Sequence, residues 1–231
     1  MNHKKDDIEY LDFDVYSEPD CSIVEQSLVY FFREENDVNS WCGTGVIVGR
    51  YLLTVAHVMM EQNGNEKVPI PFLFYKNKND KDFIRLDSSN IMYDGRVGLY
   101  DDVENIHHDL IIFNVEVPSS LLKLNTQPFE IPYEVYSKTY NPTTTASCSW
   151  PNKILEKEGF RYEKAVFYYP WTNCFISTGC YEHGNSGLPL FRDNIIYGLL
   201  IGKTKHPNHG EKTLYNFIDA RYIQQIIEKN K

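Results

Sequence analysis

Apolar residues fall into many short runs separated by turn formers, and that spacing predicts strands rather than long helices. Residues 27–32, 45–48, 51–55, 71–75 and 109–117 form a first set. The clusters Asn63-Gly64-Asn65 and Lys76-Asn77-Lys78-Asn79-Asp80 break the chain between some of them. After a connection at Val117-Pro118-Ser119-Ser120, a second set follows at 133–140, 164–169, 174–178, 188–191, 195–201 and 213–218. Only residues 219–228 have helical spacing, with Asp219 as N-cap and Tyr222, Ile223, Ile226 and Ile227 on one face. Strands and helices do not alternate, which disfavours a parallel α/β sheet. The pattern divides the chain into an acidic lead-in (1–20), two β units (21–118 and 119–218) and a terminal helix (219–231).

Composition narrows the function classes. A 42% hydrophobic and 14% aromatic content is that of a globular chain, and 231 residues can bury two cores. The net charge of -9 argues against nucleic acid as a partner. With no apolar run of about 18 residues and no signal-peptide core after Met1, the expectation is a cytoplasmic protein with no membrane partner. The 5 cysteines are odd in number and include no C-x-x-C pair. Free buried thiols are expected, with no metal and no organic cofactor.

The chemistry concentrates in three places. Gly184-Asn185-Ser186-Gly187-Leu188-Pro189 sets a serine among turn-permitting residues just before an apolar strand. His57 ends Thr54-Val55-Ala56-His57, next to a predicted strand, and Asp109 opens Leu110-Ile111-Ile112. A serine hydroxyl is a weak nucleophile at neutral pH and needs a base, an acid to hold that base, and donors for the oxyanion. His57, Asp109 and Ser186 fit the first three roles, and the N–H groups of Gly184 and Ser186 fit the last.

With Gly43-Thr44-Gly45-Val46-Ile47-Val48 and Leu53-Thr54-Val55-Ala56-His57, these motifs in the order His57, Asp109, Ser186 resemble chymotrypsin-like (trypsin-fold) serine proteases. The resemblance implies an all-β fold of two antiparallel six-stranded β-barrels with a C-terminal α-helix and a cleft between the barrels. It also implies a protein or peptide substrate. The Asn of Gly-Asn-Ser-Gly and Tyr140-Asn141-Pro142 are similar to bacterial glutamyl-endopeptidase, HtrA-like or viral main proteases more than to digestive enzymes. Asn185 stands where secreted animal relatives have the Asp that pairs with a newly cut N-terminus, so that activation route is closed. Leu188 replaces a family glycine and is expected to narrow the cleft or shape the leaving-group side.

By the same resemblance the substrate pocket maps to Ser177, Thr178, Cys180 and His183 and to Leu200, Ile201 and Gly202. Neither the histidine of glutamyl-specific relatives nor the aspartate of trypsin-like ones is matched, so an uncharged or apolar residue is expected before the cut. The alternative is a protease-fold module that binds peptides or needs an activating protein partner. His107, His108, His206 and His209 read as loop residues, and Asp101, Asp102 and Glu104 are rivals to Asp109.

Overall fold

The computed structural model describes residues 22–64, 66–77, 80, 82–98, 107–116, 120–127, 136–140, 160–164, 167–169, 174–177, 184–192, 194–204 and 214–231. The chain enters through a short helix, α1 (Ser22–Ser27), that the sequence pattern did not announce. The amide of Asn77 donates to the carbonyls of Gln26 (2.5 Å) and Leu28 (2.8 Å), fixing the end of α1 to the first strand.

Nine strands follow: β1 (Leu28–Phe32), β2 (Trp41–Val48), β3 (Tyr51–Thr54), β4 (Met60–Asn63), β5 (Glu66–Pro69), β6 (Phe72–Asn77), β7 (Ile84–Asp87), β8 (Ile91–Asp94) and β9 (Ile111–Asn114). Seven of them form an antiparallel sheet in the order β7-β6-β1-β2-β3-β9-β8, while β4 and β5 make a separate hairpin turned at the Gly64 cluster. Strand β1 is buried on both faces, which explains its unbroken apolar run. Val29 and Phe31 enter the main core, whereas Tyr30 and Phe32 pack with Trp41, Phe74 and Phe83. In β6 burial alternates, with Leu73 and Tyr75 inside, as a sheet with one buried face requires.

The second sheet holds β10 (Lys123–Leu124), β11 (Tyr136–Tyr140), β12 (Phe160–Lys164), β13 (Phe167–Tyr169), β14 (Cys174–Ser177), β15 (Pro189–Arg192), β16 (Ile195–Thr204) and β17 (Leu214–Asp219). Its order is β12-β11-β15-β16-β17-β14-β13, with β10 joined to β16 as a parallel pair. The expectation of two antiparallel β units and a terminal helix holds. The described sheets carry 7 and 8 strands where six each were expected. The predicted strand at 164–169 is met by β13 and by only the last residue of β12, with residues 165 and 166 outside the described residues, and β12 itself was not expected.

Helix α2 (Ala220–Lys229) closes the chain, and the Asp219 carboxylate caps it by accepting the Arg221 N–H at 2.8 Å. Ala220, Ile223, Ile226 and Ile227 bury the apolar face against the core. That core is continuous: Phe31, Leu52 and Phe113 of the first sheet belong to the same cluster as Phe191, Phe217 and Ile223. Each such large side chain contributes about 1.5–3 kcal/mol on leaving water. The two sheets are therefore held against one another, and side chains from both can keep a fixed separation. Among the described residues no helix is long and apolar enough to cross a membrane.

Candidate active site

Strand β3 ends at Thr54, and the next residues wind into a tight 3-10 turn, Ala56–Met59, that carries His57. Val58 N–H donates to the Val55 carbonyl (3.2 Å) and Met60 N–H to that of His57, so the imidazole projects from a closed turn instead of a free loop. Asp109 sits two residues before β9, which pairs with β3 so that Thr54 lies opposite Ile111. Strand pairing thus brings base and acid together across 52 residues of sequence.

The carboxylate is almost buried, and both oxygens face His57. Oδ1 accepts the His57 backbone N–H at 2.8 Å and Oδ2 lies 2.6 Å from Nδ1. The Asp109 carbonyl also accepts the Ala56 N–H at 3.2 Å. A carboxylate at Nδ1 assigns that nitrogen its proton and leaves Nε2 as an acceptor. Nε2 lies 2.8 Å from the Ser186 Oγ, within reach of its proton. The same hydroxyl is 3.3 Å from the Ile201 carbonyl. One proton cannot serve both, and the shorter contact favours the imidazole.

The serine loop is shaped by glycine. Gly184 and Gly187 both have φ of 90°, a conformation that side chains disfavour. A Cβ on Gly187 would strike the Thr44 carbonyl, and one on Gly184 would strike the Trp41 ring. The loop is tied down on both sides: Gly187 N–H donates to Leu200 O (2.7 Å), Thr44 N–H to Ser186 O (2.8 Å), and Thr44 Oγ1 to Gly184 O (3.0 Å). Among the described residues the N–H groups of Gly184 and Ser186 donate to no backbone carbonyl.

The positions assigned by resemblance to the substrate pocket are divided. Thr178, Cys180 and His183 lie outside the described residues, as do Asp101, Asp102, Glu104, His206 and His209. Ser177 is the last residue of β14. Leu200 is 1% exposed and belongs to the core, so what it brings to the loop is its backbone. Ile201 meets the serine through its carbonyl, and a side chain at Gly202 would find open space.

Leu188 corrects an expectation. Its side chain is 2% exposed and packs in the main core, so it neither narrows a cleft nor faces a leaving group. The turn that presents Ser186 bonds Leu188 N–H back to the Asn185 carbonyl at 3.0 Å and directs the leucine inward.

Sequence reasoning did not assign roles to Thr44 and Thr54. Thr54 Oγ1 donates to the Thr44 carbonyl (2.6 Å), and Thr44 in turn holds the serine loop. The Gly43-Thr44-Gly45 motif marked the place, but the bond it serves spans 140 residues. Among the described residues no group of three or more His, Cys, Asp or Glu is placed to hold a metal ion. Cys42 is a free thiol, and burial pushes its pKa up to about 12.

No family model matches the chain, and no curated protein matches it by sequence. Solved structures do. A catalytically inactive tobacco etch virus protease complexed with substrate matches with a TM-score of 0.52 at 15% identity, covering 93% of this chain and 89% of that one. Mouse neuropsin, a serine protease, matches with a TM-score of 0.56 at 14% identity over 90% of this chain and 95% of its own. A mutant of human heparin binding protein gives 0.56 at 14% identity over 88% and 90%. The chain therefore has the chymotrypsin-like fold. At such identities the likeness is one of architecture, and function has to be argued from the site.

Proposed function

We propose that this chain is a serine endopeptidase that hydrolyses peptide bonds through an acyl-enzyme on Ser186. The observation that carries the reading is the continuous hydrogen-bonded series Asp109, His57, Ser186, at 2.6 Å and 2.8 Å, beside two N–H groups with no carbonyl partner among the described residues.

In this scheme Ser186 Oγ attacks the scissile carbonyl carbon while its proton passes to His57 Nε2. Asp109 steadies the imidazolium through Nδ1–H. The carbonyl oxygen takes up the negative charge and accepts from the N–H groups of Gly184 and Ser186, each such donor being worth roughly a hundredfold to a thousandfold in rate. Collapse breaks the C–N bond, and the amine leaves with the proton from Nε2. Water then attacks the ester, gives its proton to the same nitrogen and restores the serine.

Asn185 before the nucleophile supports folding directly to the working form, without activation by a new N-terminus. It also supports the finer placement beside the bacterial glutamyl-endopeptidase, HtrA-like or viral main-protease branch. The open position at Gly202 supports an uncharged or apolar residue before the cut.

A mixed peptide library, digested and read by mass spectrometry, tests the proposal. Cleavage by the full chain with a defined residue before the cut, lost in Ser186→Ala, is the expected result. Peptides bound but left intact would instead give a binding module or one that awaits an activating partner.

A further inference from the structure

The residues leading into Asp109 form a second cluster that the proposed chemistry does not use. His107 and His108 lie half-buried in a single turn, their ring centroids 4.2 Å apart. From α2, Tyr222 sets its ring edge-on to His107 at 4.9 Å and brings its hydroxyl to 3.1 Å from His108 Nδ1. Tyr93 approaches the same nitrogen at 3.5 Å. An imidazole nitrogen offers one in-plane lone pair or one proton, so one hydroxyl holds it at a time, and Tyr222 is the nearer.

What makes this clamp consequential is the backbone between His108 and the acid. Leu110 N–H donates to the His108 carbonyl at 2.6 Å, closing a three-residue turn with Asp109 at its centre. Leu110 O accepts from Gly95 N–H at 2.9 Å, and Gly95 is packed so close to the His108 and Leu110 carbonyls that no side chain fits there. In so tight a turn a movement of His108 rotates the Asp109 carboxylate relative to His57. Helix α2 is continuous with β17, which pairs with β16, the strand whose Ile201 carbonyl meets Ser186. A path of strand pairing and hydrogen bonds thus runs from the serine side of the site, through the C-terminal helix, to the acid.

We propose that Tyr222 and His108 are positioning residues for Asp109, coupling the docking of the C-terminal helix to the geometry of the acid–base pair; this rests on the protease reading of the same site. The phenol–imidazole bond fixes the turn from one end, and the Gly95 contact fixes it from the other. Reactivity at Ser186 then depends on a hydroxyl that touches neither substrate nor nucleophile.

The decisive variant is Tyr222→Phe in the full chain, because it keeps the ring and removes the hydroxyl. Three quantities are measured: the rate of Ser186 labelling by a fluorophosphonate, the low-field proton resonance of His57 Nδ1–H, and the unfolding temperature. The expected result is a labelling rate lowered about fivefold, the scale of one net hydrogen bond. The His57 resonance moves upfield and the unfolding temperature stays within a few degrees. Tyr222→Ala should lower the rate further. On a cleaved peptide the loss should fall on kcat and leave KM unchanged. A wild-type labelling rate together with an unmoved resonance in Tyr222→Phe overturns the coupling. Should the unaltered chain resist labelling, the resonance still decides: a shift supports the coupling and leaves only the protease reading in default.

Discussion

The two halves of the site are held by opposite means. On the first sheet, His57 and Asp109 are fixed by what they possess: a nearly buried carboxylate accepts from a backbone N–H and a ring nitrogen of one residue, and its own carbonyl accepts from another backbone N–H. On the second sheet, Ser186 is fixed by what its neighbours lack. Gly184 and Gly187 hold φ of 90° and press against Trp41 and Thr44 where a methyl group has no room. A nearly buried carboxylate organises one half, and steric permission, backed by the hydrogen bonds to Thr44 and Leu200, organises the other. Changes on the first side should therefore act on rate, and changes on the second on stability.

The largest effect that sharpens this contrast is Asp109→Asn. The amide still accepts the His57 backbone N–H but no longer steadies an imidazolium, and the rate of acylation should fall by roughly ten-thousandfold. Urea unfolding should show a stability within about 1 kcal/mol of the unaltered chain, since the amide oxygen still accepts the His57 backbone N–H and the amide NH2 donates to Nδ1 once the imidazole proton moves to Nε2. A loss of stability matching the loss of rate would break the division between the halves.

Next comes Gly187→Ala. The new methyl group meets the Thr44 carbonyl while the backbone is held at positive φ. Strain and overpacking together should cost roughly 2–6 kcal/mol, read from the urea midpoint. A neutral outcome would show that the loop adapts and that steric permission does not set it.

Thr44→Val is smaller and links the halves. It leaves the Gly184 carbonyl without its hydroxyl donor in a place where Thr44 is 1% exposed. The expected cost is about 1–3 kcal/mol, with a loss of acylation below about tenfold. Loss of activity at full stability would mean that Thr44 belongs with the first half.

The smallest effect concerns Cys42 of β2. Its thiol is held neutral by burial, with a folded pKa near 12 against an ordinary 9.0. A raised folded pKa favours the protonated form, so the stability it contributes is present below about pH 9 and is lost as pH rises toward 12. At pH 8 a disulfide reagent should therefore count the same number of reactive thiols in the folded chain and in Cys42→Ala. One fewer in the variant would show that the first sheet opens at its Trp41 end.

Most of this arrangement was legible in the sequence where the cause is local. Strands such as β1, with consecutive apolar residues, and β6, with alternating burial, announced themselves, whereas β7, β8, β10 and nearly all of β12 were not among the expected runs. Asp219 was readable as a cap because capping depends on neighbours. The β4–β5 hairpin was not, since apart from buried Met60 and half-buried Val68 its residues face solvent and show no apolar period. The members of the hydrogen-bonded series Asp109, His57, Ser186 could be named from three motifs, whereas the residues that hold them could not. Thr44 acts across 140 residues and Tyr222 across 114, distances at which no pattern along the chain carries the contact. Leu188 was misread because a substitution beside the nucleophile suggested the cleft, while the turn sends that side chain into the core.

In the proposed chemistry His57 and Asp109 together make Ser186 a nucleophile. The most direct test is stoichiometric labelling with a fluorophosphonate, with the modified residue located by mass spectrometry. One phosphonyl group on Ser186, no labelling of Ser186→Ala and a strongly reduced rate in His57→Ala are the expected results. Labelling of Ser186 at the same rate with and without His57, or a folded chain that takes up no phosphonate at all, would contradict that chemistry.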